Sequence, residues 1–349
     1  MVKDQEPKEP QKEIKDSLGF DDSFRNPSVS SEFFKRKDRS RPYESQEAVG
    51  VRCLSWNKNG SYLACGADNR VISVGVVDPR STRLKQTLVI SDHDDGVEAV
   101  EFSKHDENVL ASCSSDKTVR IFDVRAPKSG TKIPTKESNL FLSWSNCGNF
   151  ITYGDKGDTV SILEIRTNKV LESATFKEEI NEFIVHPNGE FLFLTTDHGK
   201  LEIISLPKLK RIRTIQGSPS TTILLFEHCN VPNECFLTIG GSDACSSIWD
   251  LRDMICINTI TRLDYPVRTV SYSHCGNLIA SGSEDRVIDI AWATTGEKVA
   301  EVAIQSECFD VAWNPHLYLL AYATGASAEG LRERDRADSS TVKIFGYSS

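Results

Sequence analysis

The chain has 349 residues, 39% of them hydrophobic and 26% charged, the composition of an ordinary globular protein with one large domain or two smaller ones. A net charge of −9 argues against a dedicated sequence-independent binder of DNA or RNA, while leaving room for a local basic patch. No apolar run reaches the roughly eighteen residues of a membrane-spanning helix, and residues 1–15 are too polar for a secretory leader.

Residues 1–38 read as a charged, mixed-sign extension that is expected to be disordered by itself. Phe20, Phe24, Phe33 and Phe34 are its exceptions, apolar enough to dock on the domain or on a partner. Lys35 to Arg41 then puts five basic residues into seven. That run reads either as a nuclear-import signal or nucleic-acid contact, or as an edge strand kept soluble by charge.

From Val51 onward the chain repeats. The apolar or aromatic residues closing the first strand-like run of each unit are Trp56, Phe102, Trp144, Val185, Phe226, Tyr272 and Trp313, spaced 46, 42, 41, 41, 46 and 41 residues apart. The units are Val51–Asp78, Val97–Arg125, Asn139–Arg166, Ile180–Pro207, Thr221–Arg252, Tyr265–Trp292 and Phe309–Gly346. Each shows three short period-two runs separated by turns, clearest in Tyr265–Trp292. Asn59-Gly60 and Asn188-Gly189 mark first hairpins, where glycine permits a positive φ. Unit five has a longer turn at His228–Glu234, and unit seven a polar loop at Gly325–Ser340. A three-strand unit cannot bury its own apolar face, so the units must stack. Seven strand-rich units with a period in the low forties predict an all-β, seven-bladed β-propeller over residues 39–349. Few residues follow Phe345, so blade seven needs a strand from ahead of unit one, and Phe33–Tyr43 is the candidate.

Ten scattered cysteines with no C-x-x-C pair argue against a zinc site and for a reducing compartment, cytosol or nucleus. Five of the seven histidines (His105, His186, His228, His274, His316) fall in the turns after first strands, spread over separate blades and unable to converge on a metal. No nucleophile elbow or phosphate loop is present. The chain therefore reads as a non-catalytic interaction platform with no cofactor.

The units resemble the WD-repeat family, through Trp249-Asp250, the similar Phe122-Asp123, and an aspartate six residues ahead of the tryptophan position at Asp68, Asp116, Asp243 and Asp285. The resemblance implies that these four side chains pin the turn between the second and third strands. Gly157, His198 and Ser339 stand there in the other units, and only unit two, with Asp92-His93 in its leader, can approach the family's Asp–His–Ser–Trp tetrad. Phe122 lacks the indole donor.

More specific runs are Phe176–Glu182, Ile203–Lys210, Arg262–Thr269, Ser283–Ala291 with its unusual Ile-Asp-Ile-Ala ending, and Thr341–Gly346. These are similar to the THO complex subunit 3 family over about Arg39 to Gly346, with Tyr265 where that family is expected to carry Trp. The resemblance implies a nuclear, non-catalytic subunit of the transcription–export assembly, held by a large helical scaffold subunit. It would work with a DEAD-box helicase and export adaptors in messenger RNA processing and export, touching RNA only indirectly. A substrate receptor of another assembly, such as a ubiquitin ligase, is the alternative for this fold.

In WD-repeat rings the narrower face is lined by the starts of the first strands and by the residues before the turn aspartates. Carried onto this chain, that set is Arg52, Glu98, Asn181, Arg268 and Glu284, with Asp264 and Tyr265 in the adjoining leader. An aromatic ring among charges is the composition of an interface hot spot. Tyr265 packed between blades, and Arg268 paired with Glu284, is the plain structural alternative.

Overall fold

The computed structural model describes residues 27–44, 48–77, 84–127, 130–217, 221–225, 236–325 and 341–347. Phe20, Phe24, Phe226, Ser339, the turn at His228–Glu234 and the loop beyond Gly325 lie outside them. A helix, α1 (Pro27–Arg36), and strand β1 (Arg39–Glu44) precede the ring. Blade one is β2 (Val51–Trp56), β3 (Tyr62–Ala67), β4 (Ile72–Val76) and β5 (Leu84–Ile90); blade two is β6 (Val97–Phe102), β7 (Val109–Ser114), β8 (Thr118–Asp123) and β9 (Thr131–Pro134). Blade three is β10 (Asn139–Trp144), β11 (Phe150–Asp155), β12 (Thr159–Glu164) and β13 (Lys169–Thr175); blade four is β14 (Ile180–Val185), β15 (Phe191–Thr196), β16 (Lys200–Ser205) and β17 (Lys210–Gln216). Blade five is β18 (Thr221–Leu225), β19 (Phe236–Gly241), β20 (Ser246–Asp250) and β21 (Ile255–Ile260); blade six is β22 (Val267–Tyr272), β23 (Leu278–Ser283), β24 (Val287–Trp292) and β25 (Lys298–Ala303). Blade seven takes β26 (Cys308–Trp313), β27 (Leu320–Thr324) and β28 (Thr341–Tyr347) from the end of the chain, and β1 from its start. The molecule is a seven-bladed propeller, as the repeat spacing predicts.

The local reasons are simple. Asn59-Gly60, Cys147-Gly148, Asn188-Gly189 and Cys275-Gly276 turn the first hairpins with each glycine near φ +70°. The second and third strands of a blade lie between neighbouring blades and are apolar on both faces, so β23 is buried along its whole length. Fourth strands form the rim and are mostly exposed in blades three and four.

Ring closure corrects one expectation. The closing strand begins at Arg39, not Phe33. β1 runs antiparallel to β28, with Ser40 opposite Phe345 and Pro42 opposite Lys343, and then meets β5 in parallel through Tyr43 and Leu84. Tyr43 is buried against Gly75, where any Cβ would collide with its ring. Residues 27–36, assigned above to the charged extension, form α1, which packs against β25. The reason lies in the Phe33-Phe34 pair. On a strand adjacent side chains point to opposite faces, whereas helical spacing lets both rings reach the ring wall. Phe34 stacks on Phe345 at 5.7 Å and lies 6.1 Å from Trp313, and Phe33 meets Tyr318 at 5.7 Å. The basic run is divided between the two elements, with Lys37 over the Phe33 ring and Arg41 over the Tyr347 ring.

Candidate interaction face

Each inner strand carries a β-bulge at its second residue. The pairing with the second strand skips Arg52, Glu98, Leu140, Asn181, Thr222, Arg268 and Phe309, one per blade. A bulge re-aims its side chain out of the ladder. Four of the seven are the residues that the sequence places on the narrower face, so the structure brings Arg52, Glu98, Asn181 and Arg268 to one equivalent position around the channel.

In blades one, two and six the bulge residue meets the turn after the second strand. Arg52 Nε donates to Asp68 at 2.9 Å, and its guanidinium lies 4.9 Å from the Phe309 ring of blade seven. Ser115 Oγ donates to Glu98 Oε1 at 2.7 Å. Arg268 pairs with Glu284 and lies 3.9 Å from Glu307. These ion pairs are about half exposed, and such pairs contribute only ~0–1 kcal/mol each. They orient charge more than they hold the fold. The Arg268–Glu284 pair is the structural alternative realised, but Tyr265 does not pack between blades. It is 52% exposed, held by its backbone N–H to Asp285 Oδ2 at 3.1 Å, beside Asp264, whose N–H donates to the same oxygen at 3.0 Å.

The four turn aspartates divide. Asp116 and Asp285 tie the leader to the turn. In blade two, His93 Nδ1 lies 2.8 Å from Asp116 and Nε2 lies 2.7 Å from Ser112 Oγ, with Phe122 at the tryptophan position. Burial would raise the Asp116 carboxyl, but hydrogen bonds from Thr118, His93 and the Asp94 N–H outweigh it and bring it to about 2. Burial lowers His93 against the pull of Asp116. Asp243 accepts the Cys245 N–H within its own turn at 3.2 Å. Asp68 differs from the expected role, its carboxylate accepting both contacts of the Arg52 Nε at 2.9 Å. In unit three, where Gly157 breaks the pattern, Asp155 serves instead and accepts the Gly157 and Thr159 N–H groups at 2.9 and 3.1 Å.

A second ring of contacts, between inner strands, is absent from the sequence reading. Ser55, Glu101, Ser143 and Ser271 side chains accept the N–H of Phe102, Trp144, Val185 and Trp313 in the following blade, at 2.8–3.2 Å. At the closure, Asp310 Oδ2 accepts the Leu54 N–H at 2.7 Å while Oδ1 accepts from Thr269 Oγ1 at 2.9 Å. Burial pushes the Asp310 carboxyl up to about 6 against those two bonds. The only signal in the sequence was a polar residue inside an apolar strand, as in Cys-Phe-Asp-Val-Ala-Trp. Both acidic groups accept a backbone N–H from the following blade and form a seam. Among the described residues, no group of three His, Cys, Asp or Glu could hold a metal ion, and no helix is long and apolar enough to cross a membrane.

Residues 41–74, 84–123 and 255–290 match the family model described as WD domain, G-beta repeat. With seven blades and the Asp–His–Ser part of the tetrad in blade two, the molecule is a WD-repeat propeller, a scaffold fold. Over 310 residues it is 31% identical to THO complex subunit 3 of Arabidopsis thaliana, covering 89% of this chain and 96% of that protein. The chain belongs to the THO complex subunit 3 family. It is also 27% identical over 323 residues to WD repeat-containing protein AAC3 of Dictyostelium discoideum, covering 85% of this chain and 64% of that protein. The likeness to apoptotic protease-activating factor 1 of Danio rerio, 24% over 256 residues, covers 61% of this chain and 20% of that much longer protein.

Proposed function

We propose that this chain is the propeller subunit of a nuclear THO complex. In this reading it is a non-catalytic platform in messenger RNA processing and export coupled to transcription. The observation that carries the reading is a likeness that runs through nearly the whole of both chains. The large helical scaffold subunit holds the ring, the DEAD-box helicase and export adaptor join through the complex, and RNA contact is indirect. Tyr265, with Asp264, Arg268 and Glu284, forms the centre of the partner-binding face, and Arg52, Glu98 and Asn181 extend it around the channel mouth. An exposed aromatic among oriented, partly neutralised charges supports this, because such a patch binds without first breaking a core contact.

The test is capture of the tagged full chain from nuclear extract after nuclease treatment, read by mass spectrometry. Recovery of a large helical subunit with a DEAD-box helicase, undiminished by nuclease, is the expected result. Their absence, or recovery of a cullin adaptor instead, overturns the assignment. Tyr265→Ala combined with Arg268→Glu is expected to lower recovery about tenfold or more, an effect of hot-spot size. Unchanged recovery would move the binding surface elsewhere while leaving membership intact.

A further inference from the structure

The fourth strands carry a second set of bulges, and their residues differ from blade to blade. The pairing of third and fourth strands skips Thr87 in blade one, Leu171 in blade three, Ile212 in blade four, Ile257 in blade five and Val299 in blade six. Val299 is 5% exposed, in the same apolar cluster as Phe34 of α1, which lies along β25. Leu171, Ile212 and Ile257 are 47%, 55% and 41% exposed at the same register, with Val170 and Ile255 exposed beside them. The blade-one residue is a threonine, which needs no cover.

Rim edges are protected elsewhere. β1 carries Pro42 and meets β5, β9 ends in Pro134, and α1 covers β25. On blades three to five there is no proline in the fourth strand, and no described element covers it. Five of the seven exposed large apolar side chains among the described residues fall on these three strands. The charge there is also unlike that of the chain. Lys208, Lys210, Arg211 and Arg213 crowd the blade-four rim in a protein of net charge −9, and among the described residues only Arg211 of these four is ion-paired, with Glu202 at 2.8 Å.

We infer that the rim of blades three to five, centred on Ile212, seats an amphipathic helix of a partner protein. That helix carries an apolar stripe for the bulge residues and acidic residues for Lys210 and Arg213. The arrangement on blade six shows the mode, since α1 lies along β25 and its Phe34 shares one apolar cluster with the bulge residue Val299. The charge decides the partner's sign. This surface is the circumference of the ring, separate from the face of bulge residues around the channel, so it stands or falls independently of that face.

The experiment places a photo-crosslinking amino acid at position 212 of the full chain, and at position 87 as control, in the assembly purified from nuclear extract. Adducts are mapped by mass spectrometry. The expected result is an adduct from position 212 to an acidic, amphipathic helical segment of another protein, with little from position 87. Triple replacement Lys210→Glu, Ile212→Glu and Arg213→Glu is expected to lower the recovery of that protein about tenfold or more. All three side chains are exposed, so the melting temperature should hold. No adduct at 212, an adduct to RNA or to a second copy of this chain, or equal yield from position 87 would each overturn the inference.

Discussion

Blades two and six tie their leaders to the same turn by different chemistry. In blade two His93 bridges Asp116 and Ser112, and the Asp94 N–H completes the contact. In blade six the residue four ahead of the first strand is Leu263, buried in an apolar cluster, so Asp285 takes the Asp264 and Tyr265 N–H groups directly. The third strands are complementary in sign. Blade two places Arg120 opposite Asp94 and Asp116, at 3.9 and 3.6 Å, while blade six places Asp289 at the same register in a bidentate pair with Arg262. Arg262 also donates to the Gly296 carbonyl at 2.6 Å. The turn aspartate needs donors from the leader, and a histidine is one way to supply one. What blade six loses in the tetrad it recovers in the Arg262–Asp289 clamp, which accounts for the Asp of the Ile-Asp-Ile-Ala ending.

The comparison breaks most completely if residues 27–44 are removed. Blade seven then loses its outer strand and blade six its cover, while blade two loses nothing directly. Loss of cooperative melting, or a fall of more than about 10 °C in Tm, is expected. Hydrogen exchange should rise in blades six, seven and one before blade two; uniform loss would show that the blades do not open separately.

Next in size is Arg262→Met, which leaves the buried Asp289 unpaired and is expected to cost about 2–4 kcal/mol in denaturant unfolding, Arg262 being itself partly exposed. Adding Asp289→Leu should recover most of the loss. If the double variant is no better than the single one, the clamp is not what holds the leader.

His93→Ala should cost about 2–3 kcal/mol near neutral pH, leaving Asp116 and Ser112 without a shared partner. It also sharpens the contrast through pH. His93 is held below its ordinary 6.5, so the folded protein binds fewer protons than the unfolded chain, and stability is lost as pH falls below about 6.5. That part of the pH dependence should vanish in His93→Ala and be untouched by Asp285→Asn.

Asp310 gives the opposite sign. Its folded value is raised from 3.8 to about 6, so its contribution is fully present below about 4 and is lost as pH rises through 6. The change is on the order of 2–3 kcal/mol. Asp310→Asn should flatten stability between pH 4 and 7 relative to the parent, measured by urea unfolding across that range. The smallest effect belongs to Tyr265→Ala, expected to change stability by less than about 0.5 kcal/mol because the ring is exposed.

Particular residues mark what sequence reading could reach. The repeat period located all seven blades, because strand spacing is set along the chain. His93 and Asp116 were legible from their spacing in unit two. The Arg262–Asp289 clamp was not, since a leader arginine and a strand aspartate 27 residues apart match no pattern. The rim side chains were invisible for another reason. Alternation assigns every second residue to a face, and a bulge suspends that alternation at one residue.

By itself, then, the sequence determined the all-β class, the seven units and the need for an N-terminal strand, because local hydrophobic period and turn chemistry are written residue by residue. Tertiary structure alone decided where that strand begins, which residues bulge at the rim, and that Asp310 closes the ring onto Leu54 across 256 residues. Those features arise from pairing between distant segments, where register and burial exist only once the blades have met.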